Sequence, residues 1–265
     1  MVSGVNNVSS LNSLRFLDRN QKALDQSLQR LSSGRKINRG ADDPAALIAS
    51  ERLAAEIAAL ESETRANERQ NATASITDGH LSQAGTLIND LNRLVVASAN
   101  TAGLTDAEIS ANQQQIDSIV QTLHRSFGDA LSSLNGLPIP NDGANQIREE
   151  LQSASASLST ILSGGSASLT SHDLETTQAA VSGALTAVVN SRGIIGSYQK
   201  NTLETRRAAI ETSQIALIKS KSQLVDTDYA EESATVERAQ LAVKASIKVL
   251  KITNQTAGKI LDLFG

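Results

Sequence analysis

The chain has 265 residues, a formal net charge of −4 and no cysteine. Aromatic residues make up 2% of it, with no tryptophan, so the large rings that usually fill an enzyme-like core are nearly missing. Without cysteine, neither a disulfide nor a thiolate metal site can form. The 24 basic residues are scattered among 28 acidic ones, so no basic face offers itself to nucleic acid. No apolar run approaches the roughly 20 residues that a membrane span requires.

Three prolines and an abundance of Ala, Ser, Leu, Asn and Gln favour long unbroken helices. The stretch before Leu14 has no basic leader followed by an apolar block, which predicts no cleaved signal peptide. The first helix is predicted over residues 11–33. Leu14, Leu17, Leu24, Leu28 and Leu31 lie on alternating three- and four-residue steps, with Gln21 in the gap. Gly34 ends it. Asp42-Asp43-Pro44 then supplies acidic caps and a proline for the first turn of a second helix.

From Pro44 to about residue 100 no proline interrupts the pattern, and Leu53, Ile57, Leu60, Ala74, Leu81, Ile88 and Val95 recur as an apolar face. At about 1.5 Å per residue this helix is on the order of 80 Å long. Thr64, Asn67, Asn71 and Asp78 fall on core-type positions in its middle. They either face solvent or form hydrogen bonds that set the register between helices.

Thr101-Ala102-Gly103 predicts a break. A helix follows from residue 105 to about 127, with Ile109, Ile116, Val120 and Leu123 on one face. Gly136, Pro138, Pro140 and Gly143 mark a loop, residues 144–162 a short helix, and Ser163-Gly164-Gly165-Ser166 a linker. Beyond Asp173 the pattern is helical. Leu203, Ile210, Leu217 and Leu224 recur every seven residues, and residues 226–229 form a polar joint before the last helix. In that helix Val236, Val243, Ile247, Leu250, Ala257, Leu261 and Phe264 form a second stripe, with Gln240 and Asn254 in its gaps.

The fold class is therefore all-α: an elongated hairpin of long coiled-coil-like helices with both termini at one end. Two terminal stripes of this kind pair with each other, with other copies of the chain, or with both. Leu11, Leu14, Leu17, Leu24, Leu28, Leu31 and Ile37 bury too little surface to offset ordering the first 42 residues alone, so the termini are expected to fold on neighbouring copies. No enzyme is predicted, and no cofactor or metal. His80, His124 and His172 are isolated, Asp42 and Asp43 read as helix-start residues, and no Gly-Lys-Ser/Thr follows Gly34 or Gly40. The sequons at Asn7, Asn71 and Asn254 read as accidental.

The segment Leu31-Ser32-Ser33-Gly34-Arg35-Lys36-Ile37-Asn38-Arg39-Gly40-Ala41-Asp42-Asp43-Pro44 resembles the N-terminal signature of bacterial flagellins. Ser33, Gly34, Ile37, Asn38, Ala41, Asp42 and Asp43 carry the motif. Asp78-Gly79-His80-Leu81 is similar to the family's acidic-Gly-Ala-Leu segment, with His80 in place of alanine. Asp226-Thr227-Asp228-Tyr229-Ala230-Glu231-Glu232 is similar to its Asp-Tyr-Ala-Glu joint, and Arg238-Ala239-Gln240-Leu241 continues the likeness.

The resemblance implies a structural subunit that polymerises into the flagellar filament and resides outside the cell. Its implied partners are further copies of itself, the export apparatus with its chaperone, and the filament cap and hook-junction proteins. It also implies an inner terminal domain from residues 1–42 and 226–265, and a rod from 43–225 with a loop tip near 132–172; the variable outer domains are expected to be missing. Leu14, Leu17, Leu24, Leu28, Leu31, Val243, Ile247, Leu250, Leu261 and Phe264 are the expected subunit-interface residues. A β-hairpin usual in the family, announced by Phe-Asn-Gly, meets Phe127-Gly128-Asp129 and Asn135-Gly136 here and is left open. Asn92, Arg93 and Leu94 stand where many flagellins carry an Arg-Glu-Leu segment read by an innate-immune receptor, and the change is expected to weaken that reading. The alternative is the hook–filament junction protein, whose termini resemble flagellin's.

Overall fold

The computed structural model describes residues 8–99, 105–140, 142–169 and 173–264, with side chains described through Thr256 except at Ala99. Every regular element among them is helical. These are α1 (Val8–Ser33), α2 (Pro44–Ala99), α3 (Asp106–Leu134), α4 (Gly143–Ser159), α5 (Leu174–Ser197), a π-helical segment (Tyr198–Glu204), α6 (Thr205–Val225) and α7 (Tyr229–Phe264). The expected break at Thr101-Ala102-Gly103 lies outside the described residues. Two compact units emerge: Met1–Ala59 with Ser213–Gly265, and Leu60–Thr212.

In the unit Leu60–Thr212, α2, α3, α4 and α5 share one core. On α3 the fully or almost fully buried residues Ile116, Val120, Leu123, Phe127, Ala130 and Leu134 keep strict four- and three-residue steps. That run carries α3 past its predicted end near residue 127. Burial of Phe127 and Leu134 outweighs the helix cost of Gly128, whose missing Cβ faces open space. No strand occurs among the described residues, so the β-hairpin left open above is not formed; helix occupies most of the segment that would start it.

The return path holds a phase slip. Val181, Val188 and Ile195 are buried and seven apart, as are Leu203 and Ile210, but Leu203 follows Ile195 by eight residues. The wider π turn absorbs the extra residue, so both halves keep their apolar face on the core. Side chains of α2 hold the turn. Buried Asn67 donates through Nδ2 to the Leu203 carbonyl at 3.0 Å. The Tyr198 hydroxyl, whose pKa burial raises above the ordinary 10.0, donates to Gln70 Oε1 at 3.3 Å, and Gln199 Nε2 donates to Asn71 Oδ1 at 3.2 Å. Asp78 binds Arg192 at 2.8 Å and Glu63 binds Arg206 at 2.5 Å. Of the four polar positions on α2, Asn67, Asn71 and Asp78 therefore reach across to the returning helix. Thr64 bonds back to the Leu60 carbonyl of its own helix.

Further along α6, Leu224 is 37% exposed and Val225 is the buried residue, which corrects the expected heptad at its last step. A straight helix falls about 20° behind a seven-residue repeat each time, so after three repeats the next residue faces inward.

The Ser/Gly-rich stretch is not a free linker. Gln113 donates to the Ile161 carbonyl at 2.9 Å and accepts from the Leu169 N–H at 2.8 Å. Asp117 accepts the Ser163 N–H at 3.0 Å and the Ser163 hydroxyl with its other oxygen. Gly164, at φ +84°, makes the left-handed bend that a side chain would resist.

Two predictions follow from this unit. Asn67→Ala removes the partner of a buried carbonyl and should cost about 1–3 kcal/mol, read as a lower urea midpoint at unchanged slope. The second concerns pH. The Thr105 N–H, then its hydroxyl, hold the Glu108 carboxyl below its ordinary 4.5, and the Thr176 hydroxyl, then its N–H, hold Asp173 below 3.8. Both values are depressed by folding, so the stabilisation is present above the unfolded values and lost as pH falls through the folded ones. Melting temperature should be flat down to about pH 5 and fall below about pH 4, with a shallower fall in Glu108→Gln/Asp173→Asn.

Candidate assembly interface

In the unit Met1–Ala59 with Ser213–Gly265, α1 and α7 pack side by side. They run antiparallel. The Ser10 hydroxyl donates to Asn254 Oδ1 at 2.8 Å, and Asn20 Nδ2 donates to the Ser246 hydroxyl at 2.7 Å. The positions withdrawn from solvent on α1 are Ser13, Asn20 and Ser27, seven apart, interleaved with half-buried Leu17, Leu24 and Leu31. On α7 they are Glu232, Ala239, Ser246 and Thr253, again seven apart, interleaved with Val236, Val243 and Leu250. Small residues at every second contact let the two backbones approach closely.

This seam is rotated by one residue from the predicted stripes. Gln21, Gln240 and Asn254, expected in the seam's gaps, are exposed, and so are the large apolar residues beside them: Leu14 at 47%, Leu28 at 42% and Ile247 at 50%. Leu17, Leu24, Leu31, Val243 and Leu250 belong to both stripes and are half-buried. The α7 backbone is helical through Leu261 to Phe264, but those two side chains lie outside the described residues. Each terminal helix thus carries an apolar face wider than one partner covers. Between them Ser13, Asn20, Ala242 and Ser246 floor a groove of about 330 Å³ with Phe16 and Val249 on its rim. Both rim residues are more than half exposed, and Arg19 sits 5.6 Å over the Phe16 ring.

The motif residues build the joint at the end of this pair. Gly34, at φ +68°, turns the chain out of α1, and its carbonyl accepts the Thr227 N–H at 3.0 Å. The Lys36 N–H donates to the Val225 carbonyl at 2.6 Å, and Arg35 and Asp226 form an antiparallel bridge. Ile37 is buried beneath it. The Ser33 hydroxyl accepts the Arg35 N–H, and Asn38 Nδ2 donates to the Arg35 carbonyl at 2.9 Å. Asp42 Oδ2 accepts the N–H groups of Asn38 and Arg39 at 3.0 and 2.9 Å, which hold its carboxyl below the ordinary 3.8. Asp43 accepts the Ala46 N–H at 2.9 Å and caps α2, while Ala41 is exposed. The two acidic residues are therefore turn and cap groups.

The contact of Tyr229 with Gly34 and the seam positions of Ser13, Asn20 and Ser27 escaped the sequence reading. Tyr229 lies with its hydroxyl 2.8 Å from where a Cβ on Gly34 would stand. Ser13, Asn20 and Ser27 were hidden behind the leucines, although their seven-residue spacing, continued by Gly34, was a signal in plain view.

Of the histidines, His80 is half-buried, His124 shares a 3.1 Å hydrogen bond with the Ser155 carbonyl, and His172 lies outside the described residues. Asn71 and Asn254 each hold a side-chain hydrogen bond, and Asn7 lies outside. Arg93 is paired with Asp90 on its own helix. No group of three metal-ligating side chains and no helix long and apolar enough to cross a membrane occurs among the described residues.

A helical chain with paired ends and surplus apolar flanks is the architecture of a self-assembling fibre subunit. The family model for the bacterial flagellin N-terminal helical region matches residues 5–130, and that for the C-terminal helical region matches residues 178–264. The chain belongs to the bacterial flagellin family. It is 27% identical to the flagellar filament core protein flaB2 of Brachyspira hyodysenteriae, over 94% of this chain and 95% of that one. It is 26% identical to a flagellin of Bacillus subtilis over 97% and 98%. The B-type flagellin of Pseudomonas aeruginosa is 31% identical over 57% of this chain but only 33% of its own length. The protein is a structural subunit of the flagellar filament, and its family is one of structural proteins.

Gly34→Ala forces a side chain into the left-handed region and against Tyr229. It should destabilise the joint by about 1–3 kcal/mol, seen as faster amide exchange at Lys36 and Thr227.

Proposed function

We propose that the terminal helices are the assembling surface. Copies meet through the flanks bearing Leu14, Leu28 and Ile247, with Leu17, Leu24, Leu31, Val243, Leu250, Leu261 and Phe264 completing the contact. The observation that carries this reading is the exposure of Leu14, Leu28 and Ile247 beside a seam already closed by small residues. Large exposed apolar patches mark association sites. Flanks that differ between α1 and α7 meet head to tail, and a head-to-tail contact that does not close on itself makes an open helix.

On this reading residues 1–42 and 226–265 form the inner terminal domain and 43–225 the rod with its tip. The α1–α7 pair has a thin core, so it orders fully only when neighbours cover its flanks, and folding is coupled to polymerisation. The protein has no catalytic role. Its other partners are the export apparatus with its chaperone, the filament cap and the hook-junction proteins.

Deleting residues 236–265 should abolish extension of filament seeds in electron micrographs while the unit Leu60–Thr212 keeps its cooperative melt. Normal filaments from that truncation would refute the terminal contact. Slow amide exchange from Leu11 through Leu250 in the free chain would refute folding on assembly.

A further inference from the structure

The register of the α1–α7 pair runs from Ser10 against Asn254, through Asn20 against Ser246, to Gly34 against Thr227. It places the last turn of α1, which carries Arg30, opposite the first turn of α7, which carries Glu232. Glu232 occupies the same seventh-residue position as Ala239, Ser246 and Thr253, so it stands on the seam. Arg30 Nε, Glu232 Oε1 and the Thr227 hydroxyl oxygen are buried without a hydrogen-bond partner among the described residues.

One polar atom of each of two opposite charges, and the hydroxyl of Thr227 in the adjoining joint, are thus drawn out of water at one end of one seam, and none of the three is satisfied. Asp42 is a carboxylate that feels Arg30, but one of its oxygens already takes the Asn38 and Arg39 N–H groups and the other takes Gln26. A buried polar atom without a partner is costly, and a small approach of α7 to α1 would relieve both charges at once.

We propose that Arg30 and Glu232 form a latch, open in the single chain and closed when neighbouring copies press the terminal pair together. The guanidinium then donates to the carboxylate, with the Thr227 hydroxyl as third member. The latch rests on the assembly reading above. It makes the joint tighten as a result of polymerisation, so that a chain already in the filament holds more firmly than one arriving.

The test compares Arg30→Gln, Glu232→Gln and the exchange Arg30→Glu/Glu232→Arg in the full chain. Two quantities are read: the critical concentration for extending seeds, and the melting temperature of the free chain. Each single neutralisation should raise the critical concentration about tenfold or more, because it strands the remaining charge in the closed state. The same change should leave the free chain's melting temperature unchanged or higher, because there it removes an unsatisfied group. The exchange should return the critical concentration to within about threefold of the unsubstituted chain, short of full recovery because each charge then faces the wrong end of its helix.

An exchange no better than the single variants overturns the latch, and it is also the outcome expected if residues of a second copy other than these two supplied each partner. Unchanged critical concentrations in the single variants overturn it too, as does a parallel loss of free-chain stability. Failure of the unsubstituted chain to extend seeds removes the assembly reading and the latch together. Normal extension by that chain, with an unrescued exchange, removes the latch alone.

Discussion

The structure depends on which side chains α1 spends on α7. Serine at positions 13 and 27 and asparagine at 20 meet alanine, serine and threonine across the seam, and such small groups bury little apolar area. What they permit is proximity, and hydrogen bonds such as Asn20 to Ser246 fix the stagger. The cost falls on stability of the pair in isolation. The benefit is a row of leucine and isoleucine side chains left facing outward, because a helix cannot turn two adjacent stripes to the same neighbour. On the proposed reading, a subunit that satisfied its own leucines would have little left to offer the next one.

The unit Leu60–Thr212 solves the opposite problem. It is dense, with Leu81, Ile88, Leu123, Leu151 and Ile195 at zero exposure, and it needs no neighbour to complete its core. Its difficulty is phase. The returning helix carries one residue too many between Ile195 and Leu203, and a regular helix would swing everything after it about 100° off the core. The π turn confines the surplus to seven residues; Asn67 on α2 bonds the Leu203 carbonyl of that irregular backbone, and Gln70 and Asn71 bond the Tyr198 and Gln199 side chains.

Both features were partly legible in the chain itself. Long helices, the start signal at Asp42-Asp43-Pro44, and the core face of α2 follow from spacing and capping chemistry that act within a few residues. The eight-residue step from Ile195 to Leu203 is also visible, and it announces an irregularity without saying whether a bulge, a kink or a loop will take it up. The rotation of the terminal seam had only the seven-residue spacing of Ser13, Asn20 and Ser27 to announce it, because leucine at 14 and serine at 13 compete for one groove. Hydrophobicity argues for leucine. The close approach fixed by the joint at Gly34 and by the partner's own small residues decides for serine. The Ser163-Gly164-Gly165-Ser166 stretch was misjudged for a similar reason: its composition is that of slack chain, and the amide that holds it lies some fifty residues away at Gln113.

That single amide has one more consequence. By grasping the carbonyl of Ile161 with one hand and the N–H of Leu169 with the other, Gln113 turns the stretch between them into a closed ring hung on α3. Nicking by a protease requires several residues to lift free and lie extended in a cleft. Here the ring would first have to free the buried Gln113 side chain near the start of α3. The most cuttable-looking piece of this polypeptide is therefore hemmed, and the end of the bundle resists fraying there.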